Sequence, residues 1–336
     1  MDRRKFMQLA GGAGIVWPLP ALAQQAKGLP LLAVLFPTTE DRAIKMVAAL
    51  RDGLKQAGVV EGTHYALTVR FANGDMPQLP KLAKELDALG PRVFVTAANA
   101  APVVRQQAPN TPLVFTGVAV DVIALGWAES YARPGGMMTG NVQNAIGGEE
   151  SITTKRIGLF KELMPNLTRL GMIGFAGGSV ASLANLEHTG LQKASSRLGF
   201  EVLRYDLQWP NLNGLDDAVS LGLRDGVSAF YISGTFVILG RIPEVVASVA
   251  KSGRPICGVY PEFARAGCLM SYSIDLEYGF RLTGRQVAKI LQGAKPGDLP
   301  IEQADKFTLV VNLKTAKALG VKVPDKLVTT ADELIE

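Results

Sequence analysis

Apolar positions along the chain fall into two alternating patterns. Residues 31–36, Leu-Leu-Ala-Val-Leu-Phe, form a continuous apolar run of strand length, as expected of a strand buried on both faces. Thr38 and Thr39 followed by Glu40 and Asp41 supply a cap and an acidic first turn. Ile44, Val47, Leu50, Leu54 and Ala57 then recur at helical spacing, and Gly58 stops the helix. The cycle repeats as strand 67–71, helix 80–89, strand 93–96, helix 100–107 and strand 113–116, with Gly or Pro between most elements. A Gly-rich passage from Ala132 to Asn141 breaks this rhythm.

The alternation then restarts. Helix 154–163, strand 169–175, helix 179–198, strand 201–207, helix 215–223, strand 229–233, helix 243–251 and strand 255–259 form a second unit of similar size. Strand 269–274, helix 278–291, strand 307–311 and helix 313–319 remain, too little for a third domain, so this tail is expected to return to an existing one. Such alternation predicts an α/β protein with parallel sheets covered by helices on both faces, built as two doubly wound lobes.

The first residues have a different character. Arg3, Arg4 and Lys5 precede an apolar, Gly/Ala-rich stretch from Leu9 to Leu19, and Ala21-Leu22-Ala23 offers small residues at both positions of a cleavage site. This predicts a signal peptide over residues 1–23, cut before Gln24, with Arg3-Arg4 and Phe6 of the twin-arginine type; an ordinary Sec signal is the alternative. Pro18 and Pro20 interrupt a run too short to span a bilayer, and no later window is long enough, so no transmembrane segment is expected in the mature chain.

Composition narrows the chemistry. The 336 residues are 48% hydrophobic and 19% charged, a globular balance, and the net charge of +5 falls further once Asp2, Arg3, Arg4 and Lys5 leave with the signal. With no later basic block, nucleic acid is not an expected partner. Two Cys and two His leave little from which to build a Cys/His metal site, and no metal or cofactor is expected. The chain contains no dinucleotide fingerprint, P-loop, H-E-x-x-H or G-x-S-x-G. Ser248-Val249-Ala250-Lys251 fits S-x-x-K but lacks S-D-N and K-T-G, so an enzyme is not expected. His64 and His188 read as surface residues, and Glu149-Glu150 as acidic residues at a helix N-terminus. Cys257 and Cys268 have two readings, a bridge or separate buried thiols.

Three segments carry a family likeness: 132–140 (Ala-Arg-Pro-Gly-Gly through Thr139-Gly140), 267–272 (Gly-Cys-Leu-Met-Ser-Tyr), and the tail 291–300 with 312–320. Along essentially its whole length the chain resembles the periplasmic substrate-binding proteins of ABC importers, in the branch with tryptophan-binding members. The resemblance implies a type I periplasmic binding fold of two lobes joined by three crossovers. Lobe 1 would take 28–142 and 275–336, lobe 2 would take 143–274, with hinges at 141–147 and 260–275. It also implies a periplasmic monomer that delivers a small ligand to an ABC permease in the inner membrane, with a third chain hydrolysing ATP. Cys268 stands where Gly is common, and Phe175-Ala176-Gly177-Gly178-Ser179 departs from the Tyr-Asn-Pro type sequence common there; this second departure lies in the expected ligand cleft, so the ligand is open to differ from that of the tryptophan-binding members.

In doubly wound sheets ligands sit beyond the carboxyl ends of the strands, which nominates the strand-to-helix loops of both lobes. From the first lobe come Phe36, Thr38, Asn99, Thr116 and Asp121; from the second, Phe175, Ser179, Ser182, Thr235, Phe236, Tyr260 and Glu262, with Tyr272 and Asp275 at the hinge. Ser179 and neighbouring N–H groups are expected to hold a carboxylate without an arginine, the aromatic residues to sandwich an apolar body, and Asp121, Glu262 or Asp275 to accept from an ammonium group. Core packing and helix capping are the competing roles for Phe36, Thr38, Asn99, Phe175, Ser179, Tyr272 and Asp275. An amino acid or aromatic carboxylate is the expected ligand. An exported sensor that presents its closed form to a kinase or chemoreceptor is the alternative.

Overall fold

The computed structural model describes residues 28–97, 100–118, 121–142, 148–177, 181–208, 211–303 and 305–336. The expected signal 1–23, with Asn99 and Ser179, lies outside the described residues, as do the side chains of Ser182 and Phe236. Two sheets organise the rest. The first unit runs β1 (Leu31–Phe36), α1 (Glu40–Gln56), β2 (Ala66–Phe71), α2 (Leu79–Asp87), β3 (Val93–Ala97), α3 (Ala101–Gln107), β4 (Leu113–Val118) and β5 (Met138–Val142). The second runs α4 (Gly148–Leu163), β6 (Arg169–Phe175), α5 (Ala181–Leu198), β7 (Glu201–Leu207), α6 (Leu215–Arg224), β8 (Ala229–Ile232), α7 (Phe236–Leu239), α8 (Ile242–Ala250), β9 (Ile256–Gly258), α9 (Pro261–Arg265) and β10 (Met270–Ile274). The chain closes with α10 (Leu276–Leu291), β11 (Glu302–Gln303), β12 (Phe307–Asn312), α11 (Leu313–Ala318), α12 (Asp325–Thr330) and β13 (Glu333–Ile335).

The strand orders are β11-β5-β4-β3-β1-β2 and β13-β12-β10-β9-β8-β6-β7. Both contain the same doubly wound core, β2-β1-β3-β4-β5 in one and β7-β6-β8-β9-β10 in the other. Strand order therefore reverses beside β1 and beside β6, the places where the carboxyl edge of such a sheet opens into a crevice. Sheet membership changes three times along the chain, so three crossovers join the lobes.

The tail divides differently from the expected boundaries. Residues 276–303 belong to the first lobe, where α10 packs on α1 and β11 pairs with β5. Residues 307–336 belong to the second, where β12 runs antiparallel to β10 and β13 parallel to β12. Val310 and Val311 are fully buried there, and β12 covers the edge of β10 that would otherwise stay open. The third crossing, between Gln303 and Phe307, is tied to the second: the Asp275 N–H donates to the Lys306 carbonyl at 2.8 Å, and the Asp275 carboxylate pairs with the Lys306 ammonium at 3.1 Å.

Other elements escape the sequence pattern. Strand β5 lies in the Gly-rich passage, where Thr139, Gly140 and Asn141 interrupt the apolar run, and α7, α9, α12 and β13 are too short to show periodicity. Cys257 and Cys268 are free thiols buried in the second lobe's core; burial pushes Cys257 up to about 12 and Cys268 up as well. Among the described residues no helix is long and apolar enough to cross a membrane.

Helices α1 and α10 meet through glycine. A Cβ on Gly53 would sit 2.2 Å from the Arg281 carbonyl oxygen, and one on Gly284 would sit 2.4 Å from that of Leu50. The backbones touch, and a methyl group would have to prise two helices apart. Gly284→Ala should cost about 1–3 kcal/mol of stability, read as a lower urea midpoint at unchanged slope; an unchanged midpoint would show that the helices do not approach this closely.

Candidate functional site

A cavity of ≈ 400 Å³ lies between the lobes, within the ~300–1,000 Å³ span of small-molecule pockets. The first lobe lines it with Phe36, Pro37 and Thr38 after β1, Asp41, Arg42, Lys45 and Met46 from α1, Ala97, Thr116 and Gly117 at the ends of β3 and β4, and Leu276 and Phe280 from α10. The second contributes Leu183 of α5, Leu239 of α7, Ile242 and Pro243 of α8, Tyr260, and Glu262 and Arg265 of α9. Carboxyl-edge loops from both sheets thus meet, as the topology requires.

Of the nominated residues, Phe36, Thr38, Thr116, Tyr260 and Glu262 come together here. Phe36 is fully buried, stacked on Phe71 at 6.0 Å and tilted against Phe280 at 5.4 Å, so it acts as a floor held by its neighbours. Thr116 donates to the Asn141 side-chain oxygen at 3.2 Å, and the Gly117 N–H donates to the same oxygen at 3.0 Å. The Asn141 amide in turn donates to the Gly279 carbonyl and to Thr283, so this buried residue of the Gly-rich passage binds the β4 loop to α10.

Others are placed elsewhere. Phe175 is fully buried in the second lobe's core. Asp121 is exposed and spends its carboxylate on the N–H groups of Ile123 and Ala124. Asp275 caps α10 by accepting from the Tyr278 N–H at 2.8 Å. Tyr272 is buried in β10, stacked on Phe307 at 5.4 Å with the Lys155 ammonium over its ring; it packs beside the crossovers rather than lining the cavity. Thr235 is fully buried, with a hydroxyl that has no partner among the described residues, and Phe236 opens α7.

Loop-based reasoning passed over the charged first turns of α1 and the end of α9. Arg42 and Lys45 lie one to two turns beyond Thr38, and Arg265 ends the helix whose first turn holds Glu262, so an arginine does reach the cleft. Burial lowers the pKa of the half-buried Arg42, against the fields of Glu262 across the cleft and of Asp41. Arg265 is held by Glu333, its Nε donating at 3.0 Å, and that bond raises the guanidinium and lowers the carboxylate. Helical positions three or four residues past a loop were the available signal, since they stack over the same edge.

Behind the second lobe's wall lies a buried charge cluster. Arg156 of α4 is fully buried and donates to the Tyr272 carbonyl at 2.5 Å, Glu149 at 3.0 Å, Thr153 at 2.9 Å and the Tyr231 hydroxyl at 2.6 Å. Glu149 stands in the first turn of α4, as expected of an acidic residue at a helix N-terminus, and is also this guanidinium's ion-pair partner, 4% exposed. Glu187 of α5, also fully buried, accepts from the Ser233 hydroxyl and from the Gly234 N–H at 2.9 Å. Burial, then the nearby Glu149, raise its carboxyl to about 7 against the pull of Arg156. Among the described residues no cluster of His, Cys, Asp and Glu is suited to a metal.

A family model described as ABC transporter substrate binding protein matches residues 32–335. A tyrosine-binding protein of Clostridioides difficile (strain R20291) is 22% identical over 271 residues, 80% of this chain and 74% of that protein. Among solved structures, the ABC domain in complex with L-Trp from Streptococcus pneumonia superposes with a TM-score of 0.79 at 23% identity, covering 91% of this chain and 100% of that one. The ligand-free, open structure of a substrate-binding protein with adhesive properties from Clostridium difficile gives 0.67 at 17% identity, covering 92% and 99%.

The buried pair yields a stability prediction. Arg156→Met leaves the Glu149 carboxylate without its cation and should cost about 3–5 kcal/mol, whereas adding Glu149→Leu should recover part of that loss. Urea denaturation of the three proteins checks this; a single mutant as stable as the parent would contradict it.

Proposed function

The chain belongs to the ABC transporter substrate-binding protein family, and we propose that it is the periplasmic solute-binding component of an importer. On this reading it works as a monomer, exported by its N-terminal signal, and takes an amino acid with an aromatic side chain. It closes its lobes over the ligand and presents the closed form to an inner-membrane permease.

The interlobe cavity carries this reading, because it joins an aromatic and aliphatic wall to charges of both signs. Tyr260, Leu239, Ile242 and the floor around Phe36 and Phe280 suit a ring. Arg42 suits a carboxylate, while Asp41 and Glu262 suit an ammonium group. Arg265 is engaged by Glu333, which also feels Lys45, so Arg42 is the cation this reading assigns to the ligand. Arg42 on α1 and Glu262 on α9 face each other from opposite lobes, so a zwitterion bridging them stabilises the closed form by its differential affinity for it. The tyrosine-binding relative and the L-Trp complex support this ligand class.

Titration calorimetry of the chain from Gln24 onward, with L-tyrosine, L-tryptophan, aromatic carboxylates, sugars and purines, tests the reading. The aromatic amino acids should bind. Arg42→Ala should weaken them by ~10-fold or more, as loss of a charge-assisted hydrogen bond does, with the melting temperature of the unliganded chain unchanged. Binding of sugars or purines alone would overturn the ligand class.

A further inference from the structure

The loop that follows β8 at the cleft edge is held from behind. The Glu187 carboxylate accepts from the Ser233 hydroxyl and the Gly234 N–H. On its other side Gly234 lies against the cavity wall, where a Cβ would stand 3.1 Å from Val259 Cγ1 and 3.2 Å from Tyr260 Cε2. Gly234 is therefore wedged between the carboxylate and the ring that faces the ligand cavity. Glu187 also sits one turn after Leu183 on α5, and Leu183 lines that cavity too. The loop continues through the buried Thr235 hydroxyl, which has no partner among the described residues, into α7, which supplies Leu239 to the cavity.

We propose that Glu187 is a positioning residue for the cleft: through Ser233 and Gly234 it sets where Tyr260 stands, and the proton it gains or loses changes the cleft's affinity. This rests on the interlobe cavity being the ligand site.

The chemistry gives the direction. An ionised carboxylate accepts both bonds from the loop, whereas a protonated carboxyl turns one oxygen into a donor and loses the charge that strengthens the bonds. The groups facing Glu187 decide where this happens. Glu149 and Arg156 come from α4, Tyr231 and Ser233 from β8 and its end, Cys257 from β9, and Tyr260 from the loop before α9. Arg156 is committed to Glu149 at 3.0 Å, so the second carboxylate has no cation of its own, and its ionisation is deferred to about pH 7. His188, next on the helix, is influenced instead by Arg204 and Asp206.

The Gly234 amide reports on this without any ligand. In the unliganded chain its NMR shift should titrate between pH 5.5 and 8.5 with a midpoint near 7, and Glu187→Gln should abolish that titration. Ser233→Ala keeps the carboxylate and removes one bond, so the titration should persist with a displaced midpoint; this variant decides the matter should the glutamine protein not fold. With L-tyrosine and L-tryptophan as probes, the wild type should bind several-fold more weakly at pH 6 than at pH 8, and Glu187→Gln equally at both. A silent Gly234 amide, or one that titrates unchanged in Glu187→Gln, overturns the proposal, as does titration of the amide with pH-independent binding. If neither amino acid binds at any pH, the ligand class proposed above fails, while the amide still decides whether Glu187 holds the loop.

Discussion

Two carboxylates share the interior of the second lobe with one guanidinium, and the cleft wall is built around how they divide it. Arg156 reaches from α4 to the β10 backbone, the Tyr231 hydroxyl and Glu149, so a single side chain ties the crossover strand to the centre of the sheet. An isolated buried charge of either sign would be costly, and four donated hydrogen bonds with one ion pair are what make Arg156 tolerable there. Glu187 stands outside that pair. Its hydrogen bonds run to the cleft loop, so the interior electrostatics of the lobe and the shape of its cleft face are one problem.

The first lobe is built on another constraint. Gly53 and Gly284 let α1 and α10 approach to backbone contact, and α10 is the helix on which the chain returns from the second lobe. Because α1 also carries Arg42 and Lys45 to the cleft, this contact fixes the first lobe's charges relative to a crossover. Asn141 does the same for Thr116 and Gly117. On both sides of the cleft the wall is thus held by groups close to the crossings, and a hinge there would move rigid walls, with little remodelling of either.

Much of the fold was legible from periodicity alone. Continuous apolar runs such as 31–36 and 170–175 mark strands buried on both faces, and the alternation yields two doubly wound units. The return of β12 to the second lobe was not legible, because a buried strand looks the same whichever sheet edge it covers. At the site, Thr38, Thr116, Tyr260 and Glu262 follow from the carboxyl-edge rule, while Arg42 and Arg265 lie on helices one turn beyond it. Phe175 and Asp121 sit at loop positions that topology nominates, but core burial and local turn hydrogen bonds claim them. Glu149 and Glu187 carry no signal in sequence, since a buried acid is recognised by partners 7 and 46 residues away.

The proposed function requires that two rigid lobes close over a ligand held in the cavity between them. Small-angle X-ray scattering of the chain from Gln24 onward, recorded while L-tyrosine or L-tryptophan is added to saturation, measures that closure directly. The radius of gyration should fall as the site fills and return when the ligand is dialysed away. A radius that stays constant while calorimetry shows the amino acid bound would contradict it, and would place the bound ligand on a surface that does not join the lobes.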